Sequence, residues 1–226
     1  MSQIWSYTGD TGPEFWPELC EEFYTAAQFP LQSPIALSYE ETQALEEALK
    51  FTYVEQNKNI YVQKVNETMH FVPVDAASFV EFAQNRYYLT DIHFHMPSEH
   101  VINKQQAPLE FHLVHKDEGG NPLVCAVLFD LVENEDKKCN KDKLILEADK
   151  DKEQLLNPEI FLPENITYFH YEGSLTTPPT QGPVQWFVFD QIGVMSRSLI
   201  EDFKTSLLPN NRPLQNKNQR PIFYKK

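Results

Sequence analysis

Five of the seven histidines fall between residues 93 and 115, with a spacing that suits a metal centre. In "DIHFHMPSEH", residues 91–100, His93 and His95 flank one phenylalanine, and residues two apart in a strand project to the same face. His112 lies in a second strand-like run, "LEFHLVHK", that follows after a short connection. Three neutral imidazole nitrogens and one water molecule form an open catalytic zinc site. The spacing alone leaves a structural role for these histidines open.

A second kind of metal centre shares part of this pattern. H-x-H-x3-E, here His93, His95 and Glu99, matches the first half of a cupin motif, which is typical of iron or manganese chemistry. Cupin motifs carry glycines, whereas no glycine occurs between Gly12 and Gly119 in this chain. The missing glycines argue against a cupin.

Strand patterns dominate the segments that must position these side chains. The runs are short, rich in β-branched or aromatic residues, and bounded by turn residues. They cover residues 59–65, 69–74, 87–96, 109–116, 122–131, 166–173 and 184–190. Helical pattern is confined to residues 40–51, 144–156 and 195–207, with Ser196 or Ser198 able to cap the last of these. The pattern predicts a mainly β protein with a few peripheral helices.

Composition limits the function classes. The chain has 226 residues, no internal repeat and no Gly/Ser linker, so we predict a single domain over residues 1–226. A net charge of −14 disfavours nucleic acid and anionic membrane surfaces as partners. No apolar run is long enough to span a membrane, and the first ten residues do not read as a signal peptide.

Cysteine usage points away from a disulfide framework. Cys20, Cys125 and Cys139 are odd in number and lack C-x-x-C spacing, and Cys125 in "PLVCAVLF" reads as a core residue. This usage suits a reducing compartment. We therefore expect a cytoplasmic location, or a secreted or periplasmic one if a signal peptide has been removed.

A later segment narrows the choice among these alternatives. "YEGSLTTPPTQGPVQWFVF", residues 171–189, together with "IHFHMPSEH", "LEFHLVH", "GPEFW" and "LQSPI", resembles the α-class carbonic anhydrases. The resemblance runs from Trp5 to about Ile222, and the motifs arrive in the family's order. It implies a single, large, twisted and mostly antiparallel sheet of about ten strands with peripheral helices. A catalytically silent, carbonic-anhydrase-like binding module is the alternative in another functional class.

The resemblance also implies an activity. Such an enzyme is a zinc lyase that hydrates carbon dioxide reversibly to bicarbonate and a proton, through attack by zinc-bound hydroxide. Its partners are these small molecules, and sulfonamides are expected to inhibit it. Whether the chain forms a homodimer stays open.

The resemblance assigns roles to individual residues. His93, His95 and His112 match the zinc ligands, Thr176 matches the residue that orients the hydroxide, and Glu99 matches the carboxylate to which that threonine donates. Further matches are Thr177 on the polar side of the site, Tyr7 near the water network, Glu110 and Asn210 as outer partners of the zinc histidines, and an apolar wall for carbon dioxide formed by Val114, Val124, Leu175, Val184 and Trp186. His100 reads as a structural histidine near the site.

Two departures from the family pattern concern the site itself. Asp91 stands where the family usually has glutamine, and it shares a strand face with His93. A carboxylate behind a metal-bound imidazole raises the basicity of that ligand, so we expect zinc-bound water to be less acidic than in relatives with glutamine. The proton-shuttle position falls on His70 or on Thr68, depending on where the alignment gap lies. A histidine suits this role because it exchanges protons near neutral pH.

Overall fold

Strands make up most of the secondary structure, as the sequence pattern predicts. The computed structural model describes residues 5–54, 59–65, 68–73, 75–133, 154–155, 157–197 and 209–226. The strands are β1 Ala36–Leu37, β2 Gln43–Ala44, β3 Lys50–Thr52, β4 Asn59–Val65, β5 Thr68–Pro73, β6 Phe79–Phe82, β7 Asn85–His95, β8 Val101–Ile102, β9 Gln105–Gln106, β10 Leu109–Lys116, β11 Pro122–Val132, β12 Gln154–Leu155, β13 Tyr168–Gly173, β14 Val184–Phe189, β15 Gly193–Ser196 and β16 Phe223–Lys225.

The main sheet holds thirteen of the strands found in the described residues. Ten of them follow one path in the order β12-β4-β5-β7-β10-β11-β14-β13-β16-β2, while β6, β3 and β15 lie off this path, and β1, β8 and β9 form a small second sheet. Most neighbours are antiparallel, but β11 pairs in parallel with β14 and β15, and β16 pairs in parallel with β2. The predicted mainly β fold is confirmed, and the sheet is mixed.

Alternation along the central strands separates two faces of the main sheet. On β10, Phe111 and Leu113 point into the larger hydrophobic core, and Leu123 and Cys125 of β11 belong to the same cluster. The prediction of a buried Cys125 is confirmed. Neighbours in sequence point the other way, so that face carries both the histidines and a smaller apolar cluster that includes Trp186. The larger core therefore supports the strands from behind the histidine face.

The predicted helix over residues 40–51 is wrong. A 3-10 turn at Tyr39–Glu41 leads into β2, and β3 follows after a break. The backbone N–H groups of Gln43 and Leu45 donate to carbonyls of the C-terminal segment, which draws this stretch to the edge of the main sheet. Pairing with residues about 180 positions away overrides a local helical pattern, because propensity is a weak prior.

The other two helix predictions fall largely outside the described residues. Of the stretch 144–156, the structure describes Gln154–Leu155, which form a strand and not a helix. Of the stretch 195–207, Met195 and Ser196 end β15 and Arg197 is helical, while Ser198 and the residues up to 207 lie outside the described residues, so the cap prediction stays a prediction. Elsewhere the described residues include two short helices near the start, α1 Trp16–Leu19 and α2 Glu21–Ala27, and 3-10 turns at Gly9–Thr11 and Pro158–Phe161. No helix in the described ranges is long and apolar enough to cross a membrane.

Candidate metal centre

Strands β7 and β10 bring the three predicted ligand histidines together. The two strands run antiparallel with His112 opposite His93 and Glu110 opposite His95. Because His93 and His95 lie two residues apart, both rings project to the face that also carries His112. One ring nitrogen from each of the three histidines lies within 4.8 Å of the others. The ring centroids of His95 and His112 are 4.6 Å apart.

Each of these rings is held through its outer nitrogen. His93 Nδ1 lies 2.5 Å from Asp91 Oδ2, and His95 Nδ1 donates to the backbone oxygen of Asn210 at 2.7 Å. His112 uses the opposite nitrogen, with Nε2 2.7 Å from a carboxylate oxygen of Glu110. The inner nitrogens are therefore Nε2 of the first two rings and Nδ1 of the third. Such outer contacts set the tautomer and aim a metal-binding lone pair.

The inner nitrogens fit a metal ion. His95 Nε2 is buried and has no hydrogen-bond partner among the described residues, which is costly for a polar atom without a ligand. Burial lowers the pKa of His95 to about 3 and that of His112 to about 4. Both rings thus stay neutral at physiological pH, and a neutral imidazole is the form that binds a metal. With the inner nitrogen of His93 they form a set of three imidazole donors that suits zinc.

Glu110 lies at the centre of a buried hydrogen-bond network behind His112. Its Oε1 also contacts His100 Nδ1 at 2.6 Å, and its Oε2 accepts from the backbone N–H groups of Glu99 and His100. His100 Nε2 in turn lies 2.6 Å from the Tyr171 hydroxyl. Burial opposes the charge on Glu110, but His100 and His112 hold its pKa well below its usual range. The structural role predicted for His100 agrees with this network.

Glu99 is buried beside the same histidines. Its Oε1 accepts from the backbone N–H of Arg212 at 2.8 Å and lies 3.5 Å from His95 Nδ1. Its Oε2 is buried and has no hydrogen-bond partner among the described residues. The nearby Thr176 hydroxyl acts to lower the pKa of this carboxyl group, but burial outweighs it. Burial raises the pKa of Glu99. Thr176 is itself buried.

Comparisons with known proteins identify the family. The model of the eukaryotic-type carbonic anhydrases matches residues 11–226. The chain belongs to this family. It is 31% identical to a carbonic anhydrase of Neisseria gonorrhoeae over 221 residues, which are 96% of this chain and 86% of the relative. The α-carbonic anhydrase of Thermovibrio ammonificans, solved with the inhibitor sulfanilamide, superimposes with a TM-score of 0.86 and 33% identity over 98% of both chains.

The family also includes a relative with a different name. Dioscorin DB3L of Dioscorea polystachya is 28% identical to this chain over 226 residues, which are 94% of this chain and 82% of the relative. The carbonic anhydrases among the relatives and the inhibitor complex support carbonic anhydrase activity in this chain.

The residues that the carbonic anhydrase resemblance assigns to an apolar wall lie around Trp186. The Trp186 ring is 5.0 Å from that of His112 and 5.0 Å from that of His100. Its indole N–H donates to the backbone oxygen of Ser174, which fixes the ring beside the histidines. The other members belong to the same apolar cluster or pack against it: Val114, Val124, Leu175 and Val184. An apolar surface next to the candidate ligands is therefore present.

Two further predicted site residues have clear surroundings. Tyr7 is buried with Trp5 and Trp16 in an aromatic cluster, with ring centroids 5.4 and 5.8 Å away. The Arg212 guanidinium lies 5.7 Å from the Trp16 ring, so this cluster adjoins the segment that binds Glu99. Thr177 is half-buried, and its carbonyl accepts from the Thr180 N–H.

His70 and Asp91 lie next to His93. His70 Nδ1 is 2.9 Å from both carboxylate oxygens of Asp91, and the His70 and His93 rings are 4.8 Å apart. Burial opposes ionisation of Asp91, but His93 and His70 outweigh it and hold the pKa of Asp91 well below its usual range. The structure does not describe the side chain of Thr68, the other predicted shuttle residue.

Sequence reasoning missed the buried polar residues that support the site from farther along the chain. Arg212 donates through its side chain to Gln32 and to the backbone oxygen of Ser33, while the Ser33 hydroxyl lies 3.1 Å from that of Tyr171. Burial lowers the pKa of Arg212 to about 10. An arginine or tyrosine in isolation carries no signal for such a role, because the partners lie about 140 to 180 residues away.

Proposed function

We propose that this chain hydrates carbon dioxide reversibly to bicarbonate and a proton with a zinc ion held by His93, His95 and His112. The observation that carries the proposal is the convergence of three imidazoles whose outer nitrogens are all occupied. This leaves one buried nitrogen, His95 Nε2, without a partner in the described chain. Zinc, when bound, lowers the pKa of its water ligand to about 7, which is a known property of carbonic anhydrases.

Thr176 and Glu99 would orient the reacting oxygen. If the Thr176 hydroxyl donates its hydrogen to Glu99, the threonine oxygen is left to accept a hydrogen bond from the attacking oxygen. This requires an ionised Glu99, whose pKa is raised by burial in the protein alone. A divalent cation at the adjacent histidines favours the ionised carboxylate, because opposite charges a few ångströms apart stabilise each other. The pair therefore selects the orientation in which a lone pair faces the substrate carbon.

The apolar cluster around Trp186 would receive carbon dioxide. The molecule has no net charge and makes only weak hydrogen bonds, so a surface without competing polar groups suits it. Val124, Val184 and Trp186 are buried, while Val114 and Leu175 are half-buried and extend the cluster toward solvent. The product bicarbonate is charged and is disfavoured on such a surface.

Stopped-flow hydration of carbon dioxide between pH 6 and 9, on protein of measured zinc content, tests the proposal. We expect a rate per zinc far above background that rises with one ionisation. Thr176→Ala should lower kcat/KM by roughly 100-fold at unchanged zinc content, since it removes one orienting hydrogen bond. Thr25→Ala, at an exposed position of α2, is the matched control.

Each other outcome has a defined meaning. His95→Ala should abolish both zinc retention and hydration. Background rates in fully zinc-loaded protein would contradict the proposed catalysis and favour a silent binding module. Loss of activity in the Thr25 control would show that the threonine comparison reports on folding and not on the site.

A further inference from the structure

We propose that His70 is a positioning residue that holds Asp91 against His93 and thereby slows the loss of zinc from the site. The inference rests on the proposed function, since it presumes that His93 is a zinc ligand. It concerns retention of the ion and is separate from the predicted shuttling of protons by the same histidine.

The contacts form a chain of three side chains. Asp91 Oδ2 lies 2.5 Å from His93 Nδ1, and both Asp91 oxygens lie 2.9 Å from His70 Nδ1. A ring that presents Nε2 to a metal carries its hydrogen on Nδ1 and donates it to Asp91. His70, with its own hydrogen on Nδ1, donates to the same carboxylate from the other side. The carboxylate thus accepts two N–H groups and has little freedom to rotate away.

The backbone places His70 for this role. His70 of β5 lies directly opposite His93 of β7 in the antiparallel pair. Directly opposed side chains in such a pair are neighbours on one face of the sheet. The two rings are 4.8 Å apart with an interplanar angle of 33°. His70 therefore packs on the ligand ring and also binds the ligand's anchor.

His93 is the candidate ligand that most needs support. Its side chain is 13% exposed, compared with 0% for His95 and 2% for His112. The anchors of those two rings, the Asn210 backbone and Glu110, are buried, whereas Asp91 is 20% exposed. Water can compete for a partly exposed carboxylate, so a second donor is useful here. A dissociating ion would first release the ring that solvent can reach.

The carboxylate at residue 91 is what allows this arrangement to accept from two histidines. A glutamine, which the family resemblance leads one to expect here, has one acceptor oxygen on a neutral amide. The Asp91 carboxylate has two oxygens and a charge, so it can accept from both histidines at once. Asp91 and His70 thus act together to hold His93.

The test measures zinc release directly. Zinc-loaded protein is mixed with an excess of a chromogenic chelator, and the rate constant of zinc release is followed for the parent, Asp91→Asn, His70→Phe and the double variant. We expect Asp91→Asn to accelerate release about 10- to 100-fold, the range for groups behind metal ligands. His70→Phe should accelerate it by roughly 3- to 10-fold in the parent and cause no further change in Asp91→Asn, because it acts through Asp91.

Two controls separate positioning from general packing. His70→Gln keeps an N–H donor at this position and should restore most of the slow release. Asp117→Asn makes the same chemical change in the β10–β11 hairpin, where the carboxylate accepts from Asn121, and should leave release unchanged. Metal-free stability, measured by urea unfolding, identifies any variant that simply folds less well.

The possible failures are distinguishable. A parent protein that does not bind zinc would refute the proposed function. A zinc-binding parent whose release rate is unaffected by His70→Phe would overturn this inference alone. Equal effects of His70→Phe with and without Asp91 would also overturn it. A variant with slower hydration that free imidazole rescues, and with unchanged zinc release, would leave His70 a proton shuttle only.

Discussion

Two carboxylates behind the metal centre do the same job in different surroundings. Glu110 and Asp91 each bind the outer nitrogen of one candidate ligand and also a second histidine. Glu110 is fully buried and accepts two backbone N–H groups as well. Asp91 is 20% exposed, and its carboxylate contacts His70 and His93. Glu110 is thus part of the buried interior, whereas Asp91 lies where solvent can reach it.

This difference shows that burial decides whether the loss of a carboxylate mainly lowers the stability of the fold or mainly weakens the metal site. A charge that is buried with all its hydrogen bonds made becomes very costly to lose, since its donors cannot turn to water. When a carboxylate near solvent is lost, water can replace its hydrogen bonds, and the free energy of unfolding changes little. The same substitution should therefore damage stability at Glu110 and mainly the metal site at Asp91.

The largest expected effect is that of Glu110→Gln. The amide cannot accept from four donors, and it brings N–H hydrogens toward groups that themselves donate. We expect the free energy of unfolding of the metal-free protein to fall by about 3–5 kcal/mol, the cost of breaking a buried charged network. Urea unfolding measures the change, and Glu118→Gln, at an exposed position, should change it by less than about 0.5 kcal/mol.

Acidification should also lower the free energy of unfolding, through the two buried histidines of the site. The pKa values of His95 and His112 are lowered to about 3 and about 4 in the folded protein, mainly by burial, and are about 6.5 when unfolded. The unfolded chain therefore binds more protons, and stability is lost as pH falls below 6.5. Between pH 7 and 5 each should cost the metal-free protein about 2 kcal/mol. Stability that is flat or rises on acidification in urea titrations would contradict this.

Tyr171→Phe probes the outer part of the Glu110 network. Removal of the hydroxyl leaves His100 Nε2 buried without its partner. The expected loss in the free energy of unfolding is about 1–3 kcal/mol. Tyr224→Phe is the matched control, because Tyr224 is half-buried and its acceptor Asp190 keeps its bond from Tyr39. Equal losses of stability in the two variants, measured by thermal unfolding, would contradict the expectation that the buried network contributes more than a half-buried hydrogen bond.

The smallest expected effect on stability is that of Asp91→Asn. Because the carboxylate is partly exposed, water can take over its hydrogen bonds, and we expect a change of less than about 1 kcal/mol in the metal-free free energy of unfolding. The comparison with Glu110→Gln is made in the same urea experiment. A loss at Asp91 as large as that at Glu110 would mean that exposure does not separate the two carboxylates.

The strands could be predicted from sequence, but several other elements could not. The seven predicted strand runs coincide with strands, since alternation and β-branched residues are local signals. Residues 40–51 have a helical pattern, yet the structure draws them to the C-terminal strand and the core. Leu49, for example, is buried and its N–H donates to the Tyr168 hydroxyl. Such contacts between distant segments leave no trace in a local pattern.

The sequence by itself determined that His93 and His95 share a strand face, and the motifs were specific enough to predict the family. Both follow from short-range order, because side-chain direction in a strand has a period of two. Only the tertiary structure decided which nitrogen each histidine turns inward and which partner holds it. It paired His70 with Asp91 and brought Asn210 and Arg212 to the site from more than 100 residues away. Strand register and burial set these choices, and both depend on the whole chain.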